Sequence, residues 1–349
     1  MTKKKTNNKL KWILGGTAAF LLISAAAAYF IYSSTVAPNI FTEEKTFIKI
    51  YPEDSFDDIL KKIEETGVMR DVGSFKLLAK QQGYPEKIVP GNYELSNGMS
   101  NVKLVNNLIK GRQAPVRLTF NNIRTKQALA GKLSKSLLMD STEFVDMMNN
   151  AEILSIYGLN RSTAVSLFIP DTYEVYWNLS PTDLLDRMKK EHNIFWNEER
   201  TQKLNALGLS QAEVSTLASI VEEETSKKDE KPIVAGLYLN RLKRGIPLQA
   251  DPTVKFALQN FGLRRIYKKH LEYDSPYNTY LYAGLPPGPI RIPSKESIDA
   301  VLNFTKHNYI YMCAKEDFSG THNFATTLSE HNANARRYQE ALNRLNIKK

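Results

Sequence analysis

Three consecutive glutamates, Glu222-Glu223-Glu224, close an apolar segment that opens on a capping box, Ser210-Gln-Ala-Glu213. The apolar positions Val214, Leu217, Ala218, Ile220 and Val221 recur at helical spacing. At about 100° per residue, Val214, Leu217, Ala218 and Val221 form one buried stripe. With Val221 as zero, Glu222 falls near ~+100°, Glu223 near ~200°, Glu224 near ~−60° and Thr225 near ~+40°. Glu223 is therefore expected to face solvent, while Glu224 and Thr225 continue the buried face. Desolvation disfavours the charged form of a carboxylate and raises its pKa. An acid that keeps its proton near neutral pH is suited to general-acid chemistry. The competing reading is a solvated acidic patch at a fraying helix end, the commoner fate of acidic runs. Spacing alone favours that second reading.

The next elements carry more polar groups on apolar frames. Pro232 and Gly245 suit the start and stop of a helix, and Tyr238-Leu-Asn-Arg241 sets hydrogen-bonding groups upon it. Leu248-Gln-Ala-Asp-Pro-Thr-Val254 follows. Asp251, one residue before Pro252, has the form of an N-cap with proline at the first helical position. Capping accounts for Asp251 but not for Gln249, Asn240 and Arg241 nearby. The five histidines, His192, His270, His307, His322 and His331, form no His-Glu-x-x-His motif, so no metal and no cofactor are expected. The single cysteine, Cys313, sits in the apolar run Tyr309–Ala314 and reads as a buried strand residue.

These groups must be positioned by a chain of ordinary globular composition, 42% hydrophobic and 24% charged over 349 residues. Its net charge of +10 is uneven, because five lysines fall in the first eleven residues. The remaining +5 spreads over the other 338, too weak a field to indicate a nucleic-acid partner. Directly after the lysines, Trp12–Tyr32 runs for 21 residues without a charge, enough to span a bilayer as a helix. Trp12, Tyr29 and Tyr32 suit its interfaces, and the lysines place the N-terminus in the cytoplasm. Ala25–Ala28 could offer a signal-peptide cleavage site, but the apolar run exceeds the ~7–15 residues of a signal core and continues past the alanines.

The expected organisation is a cytoplasmic tail (1–11), a transmembrane helix (12–32) contacting the lipid bilayer, a stalk (33–45), a small module (46–112) and a larger domain (113–349). The fold class is α+β. Strands are expected at 46–51 and 116–120 and at 309–313. Helices are expected near 55–63, 72–82, 101–109, 125–149, 181–205, 210–226, 232–244 and 329–345. Residues 262–296, rich in Pro, Gly and Tyr, read as ordered loop.

A set of ordered motifs then carries a resemblance. Ala218-Ser-Ile-Val-Glu-Glu-Glu-Thr225, Val234–Leu242, Leu248–Val254, Tyr277-Asn-Thr-Tyr280, Gly284-Leu-Pro-Pro-Gly-Pro-Ile290 and Gly320-Thr-His-Asn-Phe324 closely resemble the YceG-like endolytic murein transglycosylases. Phe168-Ile-Pro-Asp-Thr-Tyr173 resembles the family's pre-catalytic motif. The N-terminal helix and small module agree with the family plan, in which that module is LysM-like. The resemblance implies a membrane-anchored lyase that cleaves the β-1,4 bond between N-acetylmuramic acid and N-acetylglucosamine, leaving 1,6-anhydro ends on peptidoglycan glycan strands. It implies Glu224 of the Glu224-Thr225 pair as the catalytic acid/base, with Glu222 as runner-up, and peptidoglycan synthases as protein partners. Thr225, Asn240, Arg241, Gln249, Asp251, Tyr277, Asn278, Thr279 and Tyr280 become candidates for holding the glycan. For Asn278 and Tyr280 a loop brace competes with that role; for His322 a satisfied core group does; for Tyr173 a core aromatic does. Two other functions stay open. One is a non-catalytic glycan-binding scaffold of the cell-wall synthesis machinery, and the other a hydrolase pairing Glu224 with Asp251.

Overall fold

The computed structural model describes residues 5–344. The chain divides into two compact units, one holding the chain up to Arg117 with Glu174–Asn178, the other Leu118–Tyr173 and the chain from Leu179 onward.

The first unit begins with helix α1 (Lys5–Thr35). Within it Lys9–Thr35 is long and apolar enough to cross a membrane; its 27 residues make about 40 Å of helix. Trp12, Phe20 and Leu22 are exposed along it. The following segment, expected as a stalk, is tied down at its centre. Ile40 is fully buried, and Asn39 Nδ2 donates to Asn101 Oδ1 (2.7 Å) while its Oδ1 accepts from the Asp71 N–H (2.9 Å). Strand β1 (Thr46–Ile50) alternates outward and inward residues, so Ile48 and Ile50 enter the core. Helix α2 (Phe56–Thr66) opens on a reciprocal capping box between Ser55 and Asp58 and stops at Gly67, φ +65°. Phe56, Ile59, Leu60 and Ile63 are its buried face. Helix α3 (Val72–Gln81), capped by Asp71, strand β2 (Gly91–Leu95) and helix α4 (Asn101–Ile109), capped by Ser100, complete the core. β1 and β2 pair antiparallel, with Ile48 opposite Tyr93.

The chain then runs through β3 (Val116–Phe120), α5 (Lys126–Ser136), α6 (Ser141–Met147), α7 (Ala151–Ile156) and β4 (Asp171–Val175). The single helix expected over 125–149 is two. Asp140 ends the reach of α5 by accepting the N–H groups of Thr142 and Glu143, both at 2.8 Å. The helix expected over 181–205 is likewise divided, into α8 (Pro181–Phe195) and α9 (Glu198–Leu207). There Asn197 accepts the Arg200 N–H at 3.0 Å. Short polar side chains compete for backbone N–H groups in this way and favour a new helix start over continuation.

Helix α10 (Gln211–Glu224) is the centre of the second unit. Every residue from Val214 to Val221 is buried, so the helix has no solvent face over two turns, as expected of one enclosed on all sides. Around it lie α11 (Lys231–Lys243), α12 (Asp251–Ala257) and α14 (Lys295–Leu302), with the short α13 (Lys268–Leu271) inside the expected loop. Strands β5 (Tyr311–Ala314) and β6 (His322–Ala325) pair antiparallel, Ala314 opposite His322, and α15 (Leu328–Arg344) follows. Gly236 lets the chain at 305–307 approach α11. A Cβ there would lie 2.4 Å from the Thr305 carbonyl oxygen and 2.8 Å from His307 Nε2.

Candidate active site

The capping box that opens α10 is formed, with the Ser210 N–H donating to Glu213 Oε2 (2.8 Å) and the Glu213 N–H to Ser210 Oγ (3.2 Å). The helix ends at Thr225, an extended C-cap residue. Its last residue, Glu224, is half-buried and lines a cavity of about 500 Å³. Tyr238, on α11, donates its hydroxyl to Glu224 Oε1 at 2.9 Å. Glu224 Oε2 has no hydrogen-bond partner among the described residues. Burial pushes the Glu224 carboxyl up to about 7, against the pull of the Tyr238 hydrogen bond; the Asp251 charge raises it further. Tyr238 is itself buried and held well above the ordinary tyrosine range, by burial first and then by the Glu224 charge. It therefore remains a donor, and the free oxygen of Glu224 can carry and release a proton toward the cavity.

The other two glutamates differ from the helical-wheel expectation. Glu223 does not face solvent. It takes both arms of Arg124 (3.0 Å each) and Arg291 Nη1 (2.7 Å). The wheel assigned it a solvent face that an enclosed helix lacks, and a buried charge then needs charged partners. Glu222, the runner-up, accepts the Ser294 N–H at 2.5 Å and lies 3.3 Å from Arg291. Both carboxylates are committed to structure, which leaves Glu224 as the acid that meets the cavity.

Arg241, Gln249, Asp251, Tyr280 and His322 line the same cavity. Asp251 is exposed and accepts the Tyr280 hydroxyl at 2.6 Å. It is not the N-cap of α12, as expected; it is the first helical residue, and Ala250 precedes it without a side-chain cap. The site thus holds one half-buried and one exposed carboxyl. Gln249 has φ +51°, a left-handed conformation uncommon outside glycine and costly by ~1 kcal/mol or more. Its N–H donates to the Thr279 carbonyl (3.0 Å), and its Oε1 accepts from Arg241 Nη2 (3.3 Å). Arg241 is buried and has no carboxylate partner among the described residues. It donates to the carbonyls of Ile310 (2.7 Å), Leu248 (2.7 Å) and Pro247 (3.2 Å), pinning the chain before α12 to β5.

The remaining sequence candidates lie off the cavity. Asn240 Nδ2 bonds the carbonyls of His307 (2.8 Å) and Tyr309 (3.0 Å). Asn278 is fully buried and braces its own loop through the carbonyls of Leu271 and Tyr273. Thr279 Oγ1 accepts the Ala250 N–H (3.0 Å) and pairs with Thr253 Oγ1 (2.9 Å). Tyr173 is a buried aromatic stacked on Phe120, and Tyr277 packs on Phe256 in a different cavity. Thr225 donates to Glu230 Oε2 at 2.9 Å. Glu230 also accepts the His322 N–H (2.6 Å) and lies 3.1 Å from its Nδ1, so it joins the end of α10 to β6. Cys313, expected to be buried, is half-buried on the cavity wall, where desolvation raises its thiol.

Sequence reasoning missed Tyr238 and Glu230, and also Tyr311 and His331, which line the cavity with stacked rings whose centroids lie 5.2 Å apart. Tyr238 stood in a motif of polar groups on an apolar helix, which was a usable signal. Glu230 carried none, since it lies in the turn before α11 amid charged residues.

Residues 48–337 match the profile of the YceG-like family. A Bacillus subtilis (strain 168) protein named endolytic murein transglycosylase is 28% identical over 337 residues, which cover 90% of this chain and 91% of its own. One of the same name from Streptococcus pneumoniae (strain ATCC BAA-255 / R6) is 26% identical over 356 residues and 90% of this chain, which spans 63% of that protein's length. The 2.6 Å crystal structure of a yceG-like protein from Listeria monocytogenes is similar at TM-score 0.55 and 26% identity, over 84% of this chain and 99% of that one. The profile spans far more than half of the sequence, and the chain belongs to the YceG-like family.

Proposed function

We propose that the protein is a membrane-anchored endolytic murein transglycosylase, as its bacillary and pneumococcal relatives are named. The observation that carries this reading is Glu224: a half-buried acid, protonated to about pH 7, held at one oxygen by Tyr238 and free at the other within a cavity.

The proposed reaction needs one such group. Glu224 protonates the glycosidic oxygen between N-acetylmuramic acid and N-acetylglucosamine as the bond to the anomeric carbon breaks. The resulting carboxylate takes the proton of the muramyl C6 hydroxyl as that oxygen bonds to the anomeric carbon. A 1,6-anhydro end forms, Glu224 regains its proton, and no water is consumed. Glycosidases that flank the bond with two carboxylates need the second for a water or a covalent intermediate; here the substrate supplies the nucleophile. Asp251 sits close enough to influence Glu224, and its negative charge suits the cationic character that develops at the anomeric carbon. Gln249, Tyr280 and His322 line the same wall, which supports the reading that they hold the sugars.

Helix α1 is the proposed anchor, with its lysine-rich start in the cytoplasm and both units outside. The strand–helix–helix–strand succession of the first unit supports reading it as a LysM-like glycan-holding module, and peptidoglycan synthases remain the proposed partners. A non-catalytic scaffold would use that module alone. Incubation of purified glycan strands with the parent and with Glu224→Gln separates the two. Anhydro-muramyl products from the parent and at least a hundredfold fewer from the variant support the enzyme; equal release by both excludes Glu224 as the catalyst.

A further inference from the structure

A second cavity, of about 400 Å³, lies in the same unit and takes no part in the chemistry above. Arg124, Lys126 and Arg161 line it, with no carboxylate among the described residues of its wall. The three cations are unequally satisfied. Arg124 is paired with Glu223, but that carboxylate is shared with Arg291. Lys126 Nζ donates to Asn149 Oδ1 (2.6 Å) and the Met148 carbonyl (3.0 Å). Arg161 Nε donates to the Asn149 carbonyl at 2.6 Å. Two cations thus converge on one asparagine and find only neutral acceptors there. Burial, then repulsion from Arg161, holds the Lys126 ammonium below its ordinary range. A wall on which two cations, Lys126 and Arg161, meet only neutral acceptors favours an anion, and a carboxylate gives charge-assisted hydrogen bonds to both.

The rest of the wall suits a peptide. Phe256 and Tyr277 present rings whose centroids lie 4.7 Å apart, and Gln127, Asn149 and Gln259 supply amides. This is also where Tyr277 of the Tyr277–Tyr280 motif lies. Helix α12 links the cavities, since its Asp251 lines the first and its Phe256 the second, about 8 Å of helix apart. We propose that the second cavity holds the terminal carboxylate of a peptide stem carried by the glycan whose sugars occupy the first. The inference rests on the peptidoglycan reading and adds to it a preference for peptide-bearing strands.

The test is a binding titration with full-length Glu224→Gln protein in detergent. It uses two probes, purified glycan strands with intact stems and the same strands stripped of peptide by an amidase. Stem-bearing strands should bind about tenfold more tightly, the effect of one good charge-assisted contact. Adding Lys126→Met or Arg161→Gln should remove that preference and leave binding of stripped strands unchanged. A preference that survives both substitutions, or equal weakening on both probes, overturns the proposal. Arg161 is exposed, so Arg161→Gln decides alone if Lys126→Met fails to fold. Failure of the catalytic reading shows separately, as a Glu224-intact parent that releases no anhydro ends from either strand.

Discussion

Replacing Glu224 by Gln should abolish turnover and yet stabilise the protein, and only in one pH range. The carboxyl has its folded-state pKa at about 7, against 4.5 for an unburied glutamate. Below pH 4.5 both folded and unfolded states hold the proton, and the group contributes no difference. Between 4.5 and about 7 the unfolded chain loses its proton while the folded protein keeps it, so stability falls as pH rises. Above 7 the whole penalty is present. A shift of this size corresponds to roughly 3 kcal/mol, reduced by the solvent that the open cavity admits. Gln keeps the shape of the side chain and can still accept the Tyr238 hydroxyl, but carries no charge. Other titrating groups are common to both proteins, so the difference between them isolates this one. Denaturant unfolding in detergent at pH 4.5 and pH 8 measures it. The variant should match the parent at the lower pH and exceed it by about 2–3 kcal/mol at the higher. A variant that is less stable at pH 8, or a difference that does not change with pH, would refute the desolvated-acid argument.

Three further expectations follow from the same geometry. Tyr238→Phe removes the hydrogen bond that lowers the Glu224 pKa, and Asp251→Asn removes a charge that raises it; the alkaline limb of the rate profile should move up by about one unit in the first and down in the second, and parallel movement of both would be inconsistent with these assignments. Gly236→Ala should destabilise by about 2–3 kcal/mol despite the better helix propensity of alanine, because its Cβ would meet the Thr305 carbonyl oxygen at 2.4 Å; an unchanged denaturation midpoint would show that the 305–307 chain yields freely. Glu230→Gln should cost about 1–3 kcal/mol, lower kcat and raise KM together, since it loosens both Thr225, beside Glu224, and His322 on the cavity wall; kcat and KM both unchanged would contradict its placement as a brace.

Glu224 was legible in the sequence as an acid on an apolar edge, but its distinction from a surface patch needed the ordered motifs around it. The helix it ends is enclosed on all sides, and a periodicity argument that presumes one wet face therefore misplaced Glu223. Its two arginine partners lie 99 and 68 residues away in sequence, beyond any local pattern. Asp251 had the local form of a cap, yet its carboxylate turns to Tyr280, a contact made by a distant loop. Asn240, Asn278 and Thr279 stand within recognisable motifs because they hold backbone carbonyls and N–H groups in place, and a motif does not distinguish a residue that touches substrate from one that braces the residue that does. Helices α2, α3 and α10 were readable from their caps and stripes. The breaks at Asp140 and Asn197 were not, because apolar positions on both sides continue an acceptable helical pattern.

The central claim, a single acid serving a substrate-borne nucleophile, is tested most directly by the mass of the products. Glycan strands digested by the parent protein in water enriched with heavy oxygen should yield ends lighter by one water than reducing ends, with no heavy oxygen incorporated. Reducing ends carrying the label would contradict the account and show that water attacks, with Asp251 as the second carboxylate of a hydrolase.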